Sequence, residues 1–248
     1  MSKIKIVTFN IRCCYAADGI NSFVHRSGLI FDKLTAEAAD ALCFQEVTPE
    51  ILRHLKSFLQ GYEVYYNGRN EDRGGEGLVI ALKKGSLTLK SLDCFWLSDT
   101  PTLPGSRFAD QSHWPRICQA AEVTTADGTH LRIYNNHFDL VDTARYKQAS
   151  LVAERVKADN ALCKLPTVIV GDFNDRPDTP TATVFAAAGF VDAAGDEGTF
   201  HNFGRELPAR KIDYIFTDIA YTQCELWKDQ LNGIYLSDHY PVAMTAEI

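Results

Sequence analysis

The chain has 248 residues with a formal net charge of −7 and a pI near 5.5, which excludes a strongly basic nucleic-acid-binding surface. Hydrophobic residues make up 46% and aromatic residues 11%, enough for a sizeable core, so wholesale disorder is excluded as well. The seven cysteines are scattered, odd in number and without a CxxC pair, which points to buried reduced thiols in a cytosolic protein rather than a disulfide or zinc framework.

In chain order, MSKIKIVTFNIR lacks the apolar segment of a signal peptide, and IKIVTFNI within it reads as a strand. AEAADALCFQEV holds the end of a short helix and then the strand ALCFQEV. TPEILRHLKSFL reads as a helix with Thr48 as N-cap and Pro49 at its first position. GLVIALKK and SLTLKSLDCFWL read as strands joined by Lys-Gly-Ser. ICQAAEVTTADGTHLRIYNNHF reads as a hairpin turning at Asp127-Gly128. ARYKQASLVAERVKADNAL is an amphipathic helix, TVIVGDFN a strand, and TPTATVFAAAGF a helix with Gly189 near its end. KIDYIFTD and YPVAMTAEI close the chain as strands. No apolar run reaches the about 18 residues of a membrane span. Two stretches, 67–77 and 97–115, are long polar or proline-rich connections of the kind that often serve function. Trp96 and Trp114 are placed to wall in a compact ligand there, or to stack single-stranded bases.

The apolar runs repeatedly end in the same few residue types. IKIVTFN ends in Asn10 and ALCFQE in Glu46. LRIYNNH ends in Asn136 and His137, with Asp139 just after. TVIVGDFN ends in Asp172 and Asn174, KIDYIF carries Asp213, and LSDHYPV places Asp238 and His239 before a strand. Singly, each is an ordinary turn former, cap or structural histidine. Together on one sheet rim they would line a cleft. Carboxylate and amide oxygens suit a hard cation such as Mg²⁺. Histidine backed by a carboxylate suits proton transfer near neutral pH. Asn and His donors suit a charged phosphoryl transition state.

TFNIR, FQE, NNHFD, GDFN, KIDYIF and SDHYPV, in this order, resemble the endonuclease/exonuclease/phosphatase superfamily of metal-dependent phosphoesterases. DGINSFVHR, GGEG, FWLSDTPTLPGS, WPRIC and TFHNFG resemble a bacterial branch related to carbon-catabolite-repressor-type deadenylases. The resemblance implies a single catalytic domain over 1–248. Its fold is a four-layer α/β/β/α sandwich, two mixed sheets flanked by helices with the cleft at one end. It implies Glu46 as principal metal ligand with Asn10, and Asp238 as a further metal or water ligand. The ion implied is Mg²⁺, with Mn²⁺ as the alternative.

By the same resemblance His239 is the general base, Asp213 its carboxylate partner, and Asp172 and Asn174 the pair that orients the nucleophile. His137 binds the scissile phosphate, and Phe173 points to the core. Arg116, His201 and Asp139 are implied as substrate contacts. The family more often has Asn-Thr-His where this chain has Asn135-Asn136-His137, and Leu140 stands where the branch often has a second histidine. These departures leave substrate preference open. The expected activity is hydrolysis of a phosphate ester by in-line water attack. The substrate is a nucleotide or single-stranded nucleic-acid phosphodiester, or a small phosphate ester, with a short ligand favoured over a long duplex. The alternative is a catalytically inactive binding module of the same fold. The presence of Glu46, Asp172 and His239 speaks against it.

Overall fold

The computed structural model describes residues 3–248. In chain order its elements are β1 (Lys3–Asn10), a 3-10 turn (Gly19–Asn21), α1 (Phe23–Glu37), β2 (Ala41–Val47), α2 (Pro49–Phe58), β3 (Tyr62–Gly68), β4 (Gly77–Lys83), β5 (Leu87–Trp96) and β6 (Ile117–Thr125). Then follow β7 (His130–His137), α3 (Asp142–Leu162), β8 (Thr167–Asp172), α4 (Pro180–Ala187), β9 (Val191–Asp192), β10 (Asp213–Thr217), β11 (Tyr221–Leu226), β12 (Gln230–Leu231), β13 (Ile234–Tyr235) and β14 (Val242–Glu247).

One sheet runs β11-β14-β1-β2-β4-β3 and the other β5-β6-β7-β8-β10-β9, with β12 and β13 as a separate ribbon. Each large sheet contains a parallel pair, β1–β2 or β7–β8, flanked by antiparallel neighbours. Alternation along each strand sends side chains to opposite faces. Ile4, Ile6, Ile80 and Leu82 of the first sheet thus meet Val123, Ile133, Val168 and Ile215 of the second. On the outside of the first sheet, Phe9, Phe44 and Val79 pack on Ile30 and Leu34 of α1 and Ile51 and Leu55 of α2. Outside the second, Tyr134, Ile169 and Phe216 pack on Val152 and Val156 of α3 and Phe185 of α4. These are the expected four layers. Strands covered on both faces read as continuous apolar runs such as TVIV.

A polar stitch joins the sheets near one rim. Asn135 of β7 donates to the carbonyls of Phe44 (3.2 Å) and Val79 (3.1 Å) and accepts from Gln45 Nε2 (2.8 Å). Buried polar groups bonded this fully fix how two layers sit on each other.

Several expectations are met locally. The Thr48 side chain accepts from Ile51 N at the start of α2, the β6–β7 hairpin turns at Asp127-Gly128, and Gly189 (φ +92°) follows α4. Lys84-Gly85-Ser86 joins β4 to β5 as expected, and it carries the chain from one sheet to the other. Others need correcting. α1 is a full helix of 15 residues, obscured in the sequence because Arg26 sits in its buried stripe. β3 and β11 were not anticipated; their residues are mostly half-buried or exposed and carry weak alternation. Only Cys43 and Cys118 are buried; Cys163 is exposed and the others are intermediate. No described helix is long and apolar enough to cross a membrane. The N-terminal stretch read for a leader includes residues 1–2, which lie outside the described residues.

Candidate active site

Because β1 and β2 run parallel, as do β7 and β8, each pair delivers its C-terminal residues to the same edge. Asn10 lies beside Gln45, His137 lies opposite Asp172, and Asp213 at the start of antiparallel β10 also lies opposite Asp172. Local backbone irregularities aim the side chains. Phe44 pairs with Val79 and Val47 with Gly77, so two residues of β2 face one of β4, and Glu46 in this bulge has φ +60°. Its carboxylate accepts from Asn10 Nδ2 (3.1 Å) and Cys13 N (2.9 Å). Gly171 has φ +142°, and a Cβ there would lie 1.9 Å from the Asn136 carbonyl oxygen, so only glycine fits before Asp172. Asn174, at φ +53°, donates its backbone N–H to Asp172 Oδ1 (2.8 Å) and its amide to the Phe138 carbonyl (3.0 Å). Phe173 between them is fully buried against Phe138, Phe185 and Tyr214, as expected.

Asn10 bridges the two sheets, donating from Nδ2 to both Glu46 and Asp172 (2.9 Å to the latter) while its Oδ1 accepts from Arg12 N. His239 Nδ1 lies 2.9 Å from Asp213 Oδ2, and its Nε2 lies 3.8 Å from Asp172 Oδ2. His137 Nε2 approaches the same Asp172 oxygen at 3.6 Å. Asp238 accepts from Ser237 Oγ (3.0 Å) and lies 3.6 Å from Arg12 Nε. The structure therefore gathers Asn10, Glu46, His137, Asp172, Asn174, Asp213, Asp238 and His239 around one rim.

Burial and crowding set the charges. Burial disfavours the His239 imidazolium, but Asp213 and Asp172 outweigh it and push the pKa up to about 10. Burial and the neighbouring Asp213 raise Asp172 to about 7, against the pull of His239, Asn10 and the Asn174 N–H. Glu46 goes the other way: burial opposes its charge, yet the Cys13 N–H, Arg12, His239 and Asn10 lower its pKa. Burial, Arg116 and Arg69 push His137 well below its ordinary value, so it is neutral.

Arg116, Asp139 and His201 sit differently. Arg116 is buried, 3.6 Å from Asp139. Asp139 is fully buried and accepts from Ser112 N, Ser112 Oγ and Val141 N, so it pins the 97–115 connection to the start of α3. His201 is fully buried, stacks on Tyr240 at 3.9 Å and accepts from Gly204 N. Burial and then His239 lower its pKa to about 4.

Four residues with a part in this site were given no role from the sequence. Arg12, two positions after Asn10, pairs with Asp18 (3.1 Å) beside Asp238. Arg26, fully buried, donates to the carbonyls of Ile11, Asn21 and Leu236 and so ties the β1 end to the segment leading into Asp238. Arg69 and Glu76 form an ion pair beside His137. The motifs TFNIR, DGINSFVHR and GGEG carry Arg12, Arg26 and Glu76, whereas Arg69 lies in none of them.

The donor set suits a hard divalent cation. Glu46, Glu76, Asp172, Asp213 and Asp238 crowd a buried rim, and burial together with like charge raises Asp172, Asp238 and Glu76. The Glu46 pKa is lowered instead, and its carboxylate keeps lone pairs beyond its two hydrogen bonds. Ligand atoms of Cys13, Glu46 and Glu76 lie within 4.8 Å of one another, as do those of Asp172, Asp213 and His239. A bound cation would relieve the repulsion among these carboxylates.

Comparison with known proteins agrees with this architecture. No curated protein matches the chain in sequence. A solved endonuclease/exonuclease/phosphatase from Bacteroides vulgatus is 25% identical over 100% of both chains, with a TM-score of 0.93. The mannosyl-6-phosphatase Bt3783 of Bacteroides thetaiotaomicron is 25% identical over 99% of this chain and 100% of its own, with a TM-score of 0.89. The human Nocturnin catalytic domain, solved with a bound sulfate anion, shares the fold at 18% identity, covering 99% of this chain and 93% of its own, with a TM-score of 0.79. The model of the Endonuclease/Exonuclease/phosphatase family matches residues 7–239, from the first core strand through His239, and the chain belongs to that family.

Proposed function

We propose that the protein is a divalent-metal-dependent phosphoesterase that hydrolyses a small phosphate ester by in-line attack of water, the whole chain 1–248 acting as one catalytic domain. One observation carries this reading. Asn10 joins the oxygen donor Glu46 of one sheet to Asp172 of the other, which is flanked by two histidines. Metal donors and proton-transfer groups thus face a common space.

Glu46 and Asp238 would hold the ion, Mg²⁺ or Mn²⁺, with Asn10 orienting Glu46. Bound there, the ion would neutralise charge on the phosphate oxygens. Asp172 orients the attacking water, held in place by Asn10 and the Asn174 N–H. His239 Nε2 takes the water's proton, and Asp213 steadies the imidazolium that forms. His137, neutral, donates to the phosphoryl oxygens as negative charge builds. Asn174, whose backbone N–H is bonded to Asp172, contacts the reacting phosphate through its side chain. Arg116 serves the substrate's anionic group. Asp139 and His201 act through neighbours, Asp139 by holding Arg116 and the 97–115 connection, His201 by packing on Tyr240 beside the His239 segment.

A small ester is favoured over a polymer because the 97–115 connection is fastened down rather than open. Trp96 Nε1 donates to the Arg69 carbonyl, Asp110 pairs with Lys147, and Ser112 is held by Asp139. The net charge of −7 adds no long-range attraction for a polyanion. The similarity to a mannosyl-6-phosphatase supports the same choice. The test is a panel of phosphomonoesters, phosphodiesters, single strands and duplexes with Mg²⁺ and Mn²⁺ over a salt series. Highest kcat/KM on a small ester with a shallow salt slope is expected. A preference for duplex with a steep slope would defeat the small-substrate reading.

A further inference from the structure

His239 and its carboxylate partner belong to different sheets. Asp213 opens β10 of the second sheet, while His239 precedes β14 of the first. Their 2.9 Å contact therefore spans two layers, and no ladder among the described residues pairs one with the other.

Residues 199–201 fill the gap between them. On one side they run antiparallel to 238–240. Tyr240 N donates to the Thr199 carbonyl (2.7 Å), and His201 N donates to the Asp238 carbonyl (2.9 Å). Between these bonds Phe200 lies opposite His239, its ring edge-on to the imidazole at 5.0 Å. On the other side the Thr199 hydroxyl reaches the start of β10. Its Oγ1 accepts from Ile212 N (3.2 Å) and Asp213 N (3.1 Å) and donates to the Arg210 carbonyl (3.4 Å). Those three bonds use all that a hydroxyl offers. The Ile212 carbonyl in turn accepts from Phe173 N (2.8 Å), between Asp172 and Asn174.

Resting on the phosphoesterase reading above, we propose that Thr199 is a positioning residue for the reaction: its carbonyl holds the His239 segment, its hydroxyl holds Asp213, and together they set the contact between the two. The need arises from the sheet. β9, the outer neighbour of β10, pairs only with Phe216 and Thr217, so it does not reach the first residues of that strand. The Thr199 oxygen supplies the acceptor that a longer β9 would have given. Thr199 is fully buried, and solvent does not compete for the two N–H groups it serves. A β-branched side chain is stiff at χ1, so the hydroxyl is aimed with little freedom. Loss of Oγ1 leaves both N–H groups unmatched and lets the start of β10 move, and Asp213 moves with it.

The experiment compares Thr199→Val, which keeps the shape without the hydroxyl, with Thr199→Ser, which keeps the hydroxyl, and with Thr217→Val as control. Thr217 is a buried residue at the far end of β10, and its hydroxyl also makes two bonds, to the Thr167 carbonyl (3.0 Å) and from Ile219 N (3.0 Å). With Mg²⁺ and p-nitrophenyl phosphate, Thr199→Val should lose about 10- to 100-fold in kcat with KM little changed, the cost of a misplaced reacting group. Thr199→Ser should keep most of the rate. Thr217→Val should melt earlier yet keep the wild-type kcat. A wild-type kcat in Thr199→Val, or equal losses in Thr199→Val and Thr217→Val, would overturn the proposal. A second measurement needs no turnover: proton NMR of the metal-free protein. The Nδ1 proton between His239 and Asp213, assigned by its loss in His239→Ala, should resonate far downfield in the wild type, Thr199→Ser and Thr217→Val. In Thr199→Val it should move upfield or vanish by exchange; an unchanged resonance there overturns the proposal. If Thr199→Val does not fold, Thr199→Ala takes its place in both measurements with the same expected outcomes. If the wild type hydrolyses no ester with any divalent ion, the phosphoesterase reading fails, and the resonance still decides whether Thr199 sets the contact.

Discussion

His239 Nδ1 lies 2.9 Å from Asp213 Oδ2, and Asp213 is itself paired across the sheet with Asp172, so one imidazole faces two carboxylates on adjacent strands. His239→Ala removes the proposed proton acceptor and should lower kcat by about 10² to 10⁴-fold. Asp213→Asn should also lower it, by up to about 10⁴-fold, because an amide at that place favours the wrong imidazole tautomer. Circular dichroism should show both variants folded. A His239→Ala enzyme with the wild-type rate would remove His239 from the mechanism.

The same pair makes a pH prediction with a definite sign. In metal-free protein His239 keeps its proton up to about pH 10. Its folded pKa is raised above the unfolded value of about 6.5, so its contribution to stability is complete below that value and is lost as pH rises through the folded pKa. A divalent cation nearby disfavours the imidazolium, and titration by NMR should show the His239 pKa falling when Mg²⁺ is added. The rate should then rise with pH through that lowered value. If His239 stays protonated in Mg²⁺-loaded protein at the pH of full activity, the base is Asp172, whose pKa is raised to about 7.

Glu46 is a carboxylate whose pKa is lowered at the rim. Glu46→Gln keeps its shape and removes the charge, so Mg²⁺ affinity measured by calorimetry should fall by about 10-fold or more and activation should be lost. The wild type in chelator should remain folded, because its apolar clusters lie between and outside the sheets. Full hydrolytic activity in chelator would refute metal dependence.

Asp139 fastens Ser112 and faces Arg116 from a fully buried position. Asp139→Ala should cost about 3 kcal/mol of stability, since it strands a buried guanidinium and frees the connection. Denaturant melts measure the cost, and limited proteolysis should cut within 97–115 in the variant but not in the wild type. An unchanged cleavage pattern would mean that the connection is held by its other contacts.

Gly171→Ala places a methyl group 1.9 Å from the Asn136 oxygen at φ +142°. A loss of more than about 2 kcal/mol is expected, together with a fall in kcat as Asp172 moves. Wild-type stability in this variant would contradict the close approach of β7 and β8.

His201 should remain neutral to about pH 4 in the folded protein. Its folded pKa lies below the unfolded value, so the unfolded chain binds the extra proton first and stability should fall as pH drops from about 6.5 toward 4. His201→Gln should flatten that part of the melting profile; an identical acid profile would show that other groups govern it.

The sequence by itself determined the strand runs that build both parallel pairs, because a strand covered on both faces is apolar along its length, as the TVIV run of β8 is. It also marked Asn10, Glu46, His137, Asp172, Asp213 and His239, since polar groups closing apolar strands stand out one by one. Only the tertiary structure decided what each of them meets. Asn10 joins Glu46 and Asp172 across 162 positions of chain, and no local pattern records a hydrogen bond between sheets. Arg26 hid α1 because a charged residue in the buried stripe breaks helical periodicity, and its carbonyl partners come from three separate segments. Arg69 and Arg116 lie on different connections, which come together beside His137 only because the two sheets pack face to face. Burial and charge proximity, which set the protonation of His239 and Asp172, are likewise properties of packed layers and not of neighbours in sequence.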